Sequence, residues 1–249
     1  MTHWLLLAGA GLLAGAMNAV AGGGSFVSLP ALIAAGVPSV NANASSTVAL
    51  IPGAITSGFA YRRNFRAFSN ISIPALVVVS LVGGLLGAVL LLVTPQTVFD
   101  GALPWLLLIG STTFAFGRQA GRWLRERISI GPLLSLSVQF LLGIYGGYFG
   151  GAVGIMMMAA WSLLGATDLH AMNASRTVIV GATNAVAAVI FIVGGLIVWP
   201  QTLVMLVAAS VGGYAGAAVT RGLDPEKARI AISALNFTMT ALFFWRAYS

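Results

Sequence analysis

The chain has 249 residues, of which 59% are hydrophobic and 7% charged, with a formal net charge of +7 and no cysteine. A soluble domain carries roughly 25% charged residues, so this sequence cannot cover a water-facing surface and reads as an integral membrane protein. The missing cysteines exclude disulfides, thiol catalysis and cysteine-ligated metals, and the positive balance fits cytoplasmic loops, where Lys and Arg accumulate, better than a nucleic-acid surface.

Apolar runs near 20 residues, separated by short polar breaks, predict membrane-spanning helices. The strict alternation of a barrel strand is absent. The N-terminus, Met1-Thr2-His3-Trp4, has no basic n-region, so no cleaved signal peptide is expected. Residues 4–20 are apolar, Gly22-Gly23-Gly24-Ser25 interrupts, and residues 26–35 are apolar again. As one helix this run would be about 48 Å long, where a straight crossing needs about 30 Å. Each glycine costs about 1 kcal/mol in a helix interior, so two limbs joined by a broken turn are predicted.

Gly36-Val37-Pro38-Ser39 ends the second limb, and a helix is expected over residues 43–61, with Asn43 or Ser45 as its cap and a kink at Pro52-Gly53. Arg62, Arg63 and Arg66 follow. Residues 74–93 form the next span, Thr94-Pro95-Gln96 a tight turn, and residues 98–116 span back. An Arg-rich stretch over 118–131 is read as a cytoplasmic linker between a first repeat, 1–117, and a second, 132–249. The second half begins at residues 132–149, breaks at Gly150-Gly151, and resumes over 155–164. Spans are predicted over 173–193, 202–220 and 227–245.

Four landmarks recur in the same order at offsets of 128 to 130 residues. Gly22-Gly23 returns as Gly150-Gly151, and Asn43-Ala44-Ser45-Ser46-Thr47 as Asn173-Ala174-Ser175-Arg176-Thr177. Gly83-Gly84 returns as Gly212-Gly213, and Thr94-Pro95-Gln96 as Asp224-Pro225-Glu226. Four collinear matches indicate an internal duplication. If each broken segment is a hairpin, every half holds that hairpin plus three crossings, and the second half is inverted. Eleven of the twelve Lys and Arg residues then fall on one side, Arg246 alone on the other. Parallel halves would split them less cleanly. The expected fold is therefore all-α, with two inverted repeats, each a broken-helix hairpin followed by three transmembrane helices. It would be multi-pass in the inner (plasma) membrane, with both termini outside.

No catalytic constellation can be assembled. His3 and His170 lie in different halves, no paired carboxylates share a helix face, and no metal-ligand spacing occurs. An enzyme is not expected, nor any cofactor or metal. Broken helices instead end in free N–H groups and a positive dipole, which favour anions. The candidate anion-binding residues are Gly22, Gly23, Gly24, Ser25, Asn43, Ser45, Ser46 and Thr47 from the first half. Gly150, Gly151, Asn173, Ser175, Arg176 and Thr177 join them from the second. Against each stands a structural alternative. Asn43 and Asn173 could simply cap helices, Arg176 could be an orientation signal, and Gly83-Gly84 and Gly212-Gly213 are better read as packing surfaces. Asp100 reads as interfacial, and Asp168 and His170 as loop residues. The expected partners are a small anionic substrate and the lipid bilayer, with a homodimer allowed and no nucleic acid.

The motifs at Gly15 to Ser25, Asn43 to Thr47 and Gly83 to Ala88, with their second copies, resemble those of the sulfite exporter TauE/SafE family. That resemblance implies transport of small sulfur-containing anions: sulfite, thiosulfate, sulfonates such as sulfoacetate, or related carboxylates. The leading reading is a secondary transporter working by alternating access. A proton-coupled carboxylate carrier is the runner-up, and an anion channel ranks lower because no charged ring or open filter is visible.

Overall fold

A computed structural model describes residues 2–20, 22–54, 72–125, 131–163, 169–219 and 225–248. Among them every regular element is a helix. The first half holds α1 (Thr2–Val20), α2 (Ser25–Ala34), α3 (Ser39–Ala49), α4 (Ile73–Val93) and α5 (Gln96–Arg125). The second holds α6 (Pro132–Tyr148), α7 (Val153–Leu163), α8 (Leu169–Val193), α9 (Trp199–Val219) and α10 (Pro225–Tyr248). Four of these, within α4, α5, α8 and α10, are long and apolar enough by themselves to cross a membrane. At 10 and 11 residues, α2 and α7 are about 15 Å long, half a hydrocarbon core.

Both predicted breaks are present and built alike. Gly22 and Gly150 each adopt a left-handed φ of 79°, a conformation that glycine takes without steric cost. The Gly22 N–H closes on Met17 O at 3.2 Å, and the Gly150 N–H on Tyr145 O at 3.3 Å, each reaching five residues back to end its helix. The chain then reverses. A methyl group on Gly24 would lie 2.5 Å from Ala14 O, so α2 folds back against α1. In the second copy Val153 packs beside Gly146. The two turns differ at one step: Gly24 has right-handed angles, whereas Ala152, its counterpart, sits at φ 59°, a conformation costing an L-residue about 1–2 kcal/mol.

The halves interlock through their glycines. Gly11 and Gly15 of α1 abut Ala208 and Ala209 of α9, and Gly212 and Gly216 of α9 abut Leu12 and Ala16. Gly83 and Gly87 of α4 meet Phe140 and Ile144 of α6 in the same way, and Gly143 meets Ser80. Shifted by 128 or 129 residues, one set of contacts becomes the other. Each half's first helix therefore packs on the fourth described helix of the other half, α1 on α9 and α6 on α4, the close-approach role expected of Gly83-Gly84 and Gly212-Gly213. In both pairs the contacting numbers rise together, so α1 runs parallel to α9 and α4 to α6. α5 and α10 run antiparallel, since Gly101 and Trp105 meet Tyr248 while Ser111 meets Thr240. The last two residues are 129 apart, the offset at which the sequence landmarks recur, so the contact joins repeat counterparts.

Several boundaries differ from expectation. α3 begins at Ser39, four residues before Asn43, with Pro38 at the N-cap position and no side-chain cap. α8 begins at Leu169, ahead of Asn173. Neither Asn43 nor Asn173 is a cap. Proline's fixed φ starts α3 early, and in place of a cap Gln96 Oε1 accepts the Val40 N–H at 3.2 Å. The kink predicted at Pro52-Gly53 is present as an interruption at Leu50. α5 continues through Arg118 and Arg122 to Arg125, because Arg, Gln, Ala and Leu all sustain a helix. The loop arginines Arg62, Arg63, Arg66, Arg127 and Arg221, together with Asp168, lie outside the described residues.

Candidate functional site

The two breaks face one cavity of about 200 Å³. Asn18 and Ala19 at the end of α1, Gly22, and Ser25 at the start of α2 form one wall. Gly150 with Val153, Gly154 and Ile155 at the start of α7 forms another. Between them stand Thr47, Leu50, Gly53 and Ala54 from the α3 segment, and Asn173, Arg176, Thr177, Val180, Gly181 and Asn184 from α8. The α8 residues recur at three- and four-residue spacing, which is one face of a helix. Many lining positions are repeat counterparts: Gly22 with Gly150, Ser25 with Val153, Thr47 with Thr177, Leu50 with Val180, Ala54 with Asn184. The cavity thus draws its lining from matching positions of both halves. Behind it, Phe26 and Phe149 join the two broken segments edge to face, with ring centroids 6.5 Å apart.

The electrostatics favour a negative guest. α2 and α7 both open onto the cavity with their N-terminal turns, and each carries the positive end of a helix dipole. Arg176 adds a full charge, and among the described residues no acidic side chain lines the cavity. Room for that arginine comes from Gly154: a methyl there would lie 2.9 Å from Arg176 Cδ and 3.0 Å from Cγ. In the first repeat the same two positions are Phe26 and Ser46, so bulk and smallness have changed places. Ser46 is tied to Ser28 by a 2.6 Å hydroxyl pair instead.

The residues singled out from the sequence separate into two groups. Gly22, Ser25, Thr47, Gly150, Asn173, Arg176 and Thr177 line the cavity. The others hold its walls in place. Gly23 faces Ile232 and Phe114, Gly24 faces the Ala14 carbonyl, and Gly151 lies under the Phe149 ring. Asn43 donates through Nδ2 to Tyr148 O at 2.8 Å, satisfying a carbonyl at the end of α6. Ser45 Oγ accepts the Val198 N–H at 3.1 Å, and Asn41 Nδ2 donates to Leu196 O at 2.8 Å, so α3 anchors the extended segment before α9. Ser175, the counterpart of Ser45, is fully buried with its Oγ unpartnered. Thr47 and Thr177 donate to the carbonyls four residues back, at 3.0 and 2.8 Å, and turn only lone pairs to the cavity. Asp100, at the start of α5, accepts from Ser39 Oγ and from Gln96 Nε2 at 3.3 Å, tying α5 to α3 far from the cavity.

Asn18, Gly154, Gly181 and Asn184 were not anticipated. One signal pointed to the two asparagines: each is polar within an apolar span, and such residues are costly in lipid and tend to be functional. Asn184 Oδ1 lies 3.9 Å from the position of a Gly150 Cβ, buried and unpartnered. Asn18 Nδ2 lies 3.8 Å from that of Gly53. Each asparagine thus stands beside a glycine of the cavity wall. Among the described residues no cluster of His, Cys, Asp or Glu could hold a metal ion.

Comparison with known proteins finds relatives described as membrane transporters. The chain is 29% identical over 232 residues to a probable membrane transporter protein of Haemophilus influenzae, covering 93% of this chain and 90% of the relative. It is 26% identical over 238 residues to the probable membrane transporter protein YfcA of Escherichia coli K12, covering 95% and 88%. A probable membrane transporter protein from Sinorhizobium is 24% identical over 236 residues, covering 94% and 90%. No solved structure matches. The family described as Sulfite exporter TauE/SafE matches residues 7–243. With all but the ends of the sequence inside that match, this chain belongs to the TauE/SafE family of membrane transporters.

Proposed function

We propose that the chain is a secondary transporter of a small sulfur-containing oxyanion, sulfite, thiosulfate or an organosulfonate such as sulfoacetate, bound in the cavity between the two broken helices. The observation that carries this reading is the convergence of two half-helix N-termini and one arginine on a cavity that, among the described residues, has no acidic side chain in its lining. Two dipole ends and one cation can hold an oxyanion by hydrogen bonds from several sides. They leave no compensating charge to trap it, as release on the far side requires.

Alternating access between inverted halves fits the helix directions. α6 runs parallel to α4, and α4 parallel to α8, since Gly84 meets Thr183 while Gly194 meets Leu92. α9 follows α8 after only five residues, so in a bilayer the two are expected to run oppositely. α1 runs parallel to α9. The first helix of one repeat then opposes the first helix of the other, the arrangement of inverted-repeat transporters with a midplane site. In that frame Trp4, Trp105, Trp199, Trp245 and Tyr248 gather at one interface and Lys227 and Arg229 at the other. The basic end is cytoplasmic by the positive-inside rule, which leaves both termini outside.

A titration of the purified full-length chain with sulfite, thiosulfate, sulfoacetate and acetate tests the reading. Saturable binding of at least one sulfur oxyanion, weakened in Arg176→Gln, is expected. Binding of none, or equal binding by the variant, would remove the proposed site.

A further inference from the structure

A second polar site lies outside the cavity, in the α5–α10 contact. Ser111 and Thr240, both fully or almost fully buried, place their hydroxyl oxygens 3.0 Å apart at matching positions of the two halves. One turn along α10 lies Asn236, whose side chain is 0% exposed and whose Nδ2 and Oδ1 are both without a partner. Thr240 Oγ1 donates to Asn236 O at 2.8 Å and so accepts from Ser111 Oγ, which leaves it one lone pair. The flanking helix α2 packs Phe26 against Gly110, next to Ser111. Within α2, Pro30 has no N–H to give the Phe26 carbonyl, so that carbonyl loses its helical donor.

The duplication makes Asn236 anomalous. Its counterpart, Leu107, is also 0% exposed, so this position tolerates an apolar side chain when shape alone matters. An amide sealed in an apolar interior without partners is destabilising, and unpartnered buried groups in a native structure call for a bound occupant or a functional role. The available donors are neutral oxygens: one amide and two hydroxyls. Such a set suits a weakly charged hard cation and offers nothing to a transition metal. Among the described residues the helices bury no carboxylate that could carry a proton through this region.

We propose that Asn236, Ser111 and Thr240 bind a monovalent cation of sodium size, as a coupling-ion site distinct from the anion cavity. The site joins α5 of the first half to α10 of the second, so a rearrangement of one half against the other would link occupancy of the two sites without contact between them. The claim stands apart from the identity of the transported anion and is read without it.

The test is the thermal unfolding of the purified full-length chain in sodium chloride, potassium chloride and choline chloride of equal ionic strength. Sodium should raise the melting temperature of the wild type by roughly 2–4 °C over choline, and potassium by less. Asn236→Leu should abolish the difference while melting at or above the wild type in choline, because the leucine of the other repeat fits the same environment. Thr240→Val, nearly isosteric, should reduce the sodium shift if Asn236→Leu fails to fold. A wild type that melts alike in all three salts would overturn the site, as would sodium shifts retained in both variants.

Discussion

Gly154→Ala separates the position of Arg176 from its charge. The new methyl would lie 2.9 Å from Arg176 Cδ, 3.0 Å from Cγ and 3.5 Å from Nε, where carbon contacts are comfortable at about 3.5–4.0 Å. The arginine stem must give by about 0.5–1 Å, and its guanidinium, farther out, moves at least as far. Gly154 sits in the first turn of α7 with no left-handed angle, so alanine is accepted by the backbone and does not lower stability. Hydrogen bonds to a charged group contribute about 1.5–3 kcal/mol. Complete loss in Arg176→Gln should therefore weaken anion binding by roughly 10- to 150-fold. Misplacement in Gly154→Ala should cost about 1 kcal/mol, or roughly fivefold. Isothermal titration with sulfoacetate and sulfite, beside a melting curve for each variant, gives both quantities. If Gly154→Ala binds as tightly as wild type while Arg176→Gln does not, the arginine acts through long-range charge and the contact argument is refuted. If neither variant changes affinity, Arg176 does not hold the anion.

Other consequences are open to equally direct checks. Gly15→Ala would place a methyl 2.0 Å from Ala209 O, whereas Gly9 has nothing within 4 Å. Gly15→Ala should thus destabilise by about 1–3 kcal/mol through overpacking, and Gly9→Ala should stabilise by up to about 1 kcal/mol, read as opposite shifts in melting temperature. Asn43→Ala removes the donor to Tyr148 O and should cost about 1–3 kcal/mol of stability, with a smaller effect on affinity than Asn184→Ala or Asn18→Ala, each expected to weaken anion binding roughly 2- to 10-fold; equal affinity losses for all three would mean that the cavity wall is misassigned. The chain has no cysteine, so single introduced ones report topology cleanly. Thr97→Cys should react with an impermeant maleimide added outside and Lys227→Cys only after permeabilisation, and the reverse pattern would invert the proposed orientation.

Much of this arrangement could be read from the residues. The breaks at Gly22 and Gly150 were legible because three or two successive glycines inside an apolar run have no cheaper explanation, and their identical left-handed φ supports the duplication. The packing role of Gly83 and Gly212 was legible for the same reason. The division of labour in the Asn-Ala-Ser motifs was not. Asn43, Ser45 and Ser46 look like a capping cluster, but α3 starts a turn earlier, at Ser39, so they project from mid-helix. There they meet Tyr148, Val198 and Ser28, partners 105, 153 and 18 residues away in sequence. No local pattern reveals such partners. The exchange of Phe26 and Ser46 for Gly154 and Arg176 could be seen in the aligned repeats as two separate differences. Only the contact between Gly154 and Arg176 shows that they are one. Asn18 and Asn184 were visible as isolated polar residues in apolar spans, and the cost of such residues in lipid was the signal that could have placed them in the wall.

The central claim is that one cavity, shared by two inverted broken hairpins, carries a sulfur oxyanion across the membrane. The most direct measurement is counterflow in liposomes holding the purified chain and loaded with unlabelled sulfoacetate, sulfite or thiosulfate, followed by uptake of the radiolabelled anion. The account predicts accumulation of label against its own gradient for at least one of these anions, lost in Arg176→Gln and absent from empty liposomes. Label that equilibrates passively, with no counterflow from any of the three, would contradict a transporter of these anions. Counterflow undiminished in Arg176→Gln would contradict the site.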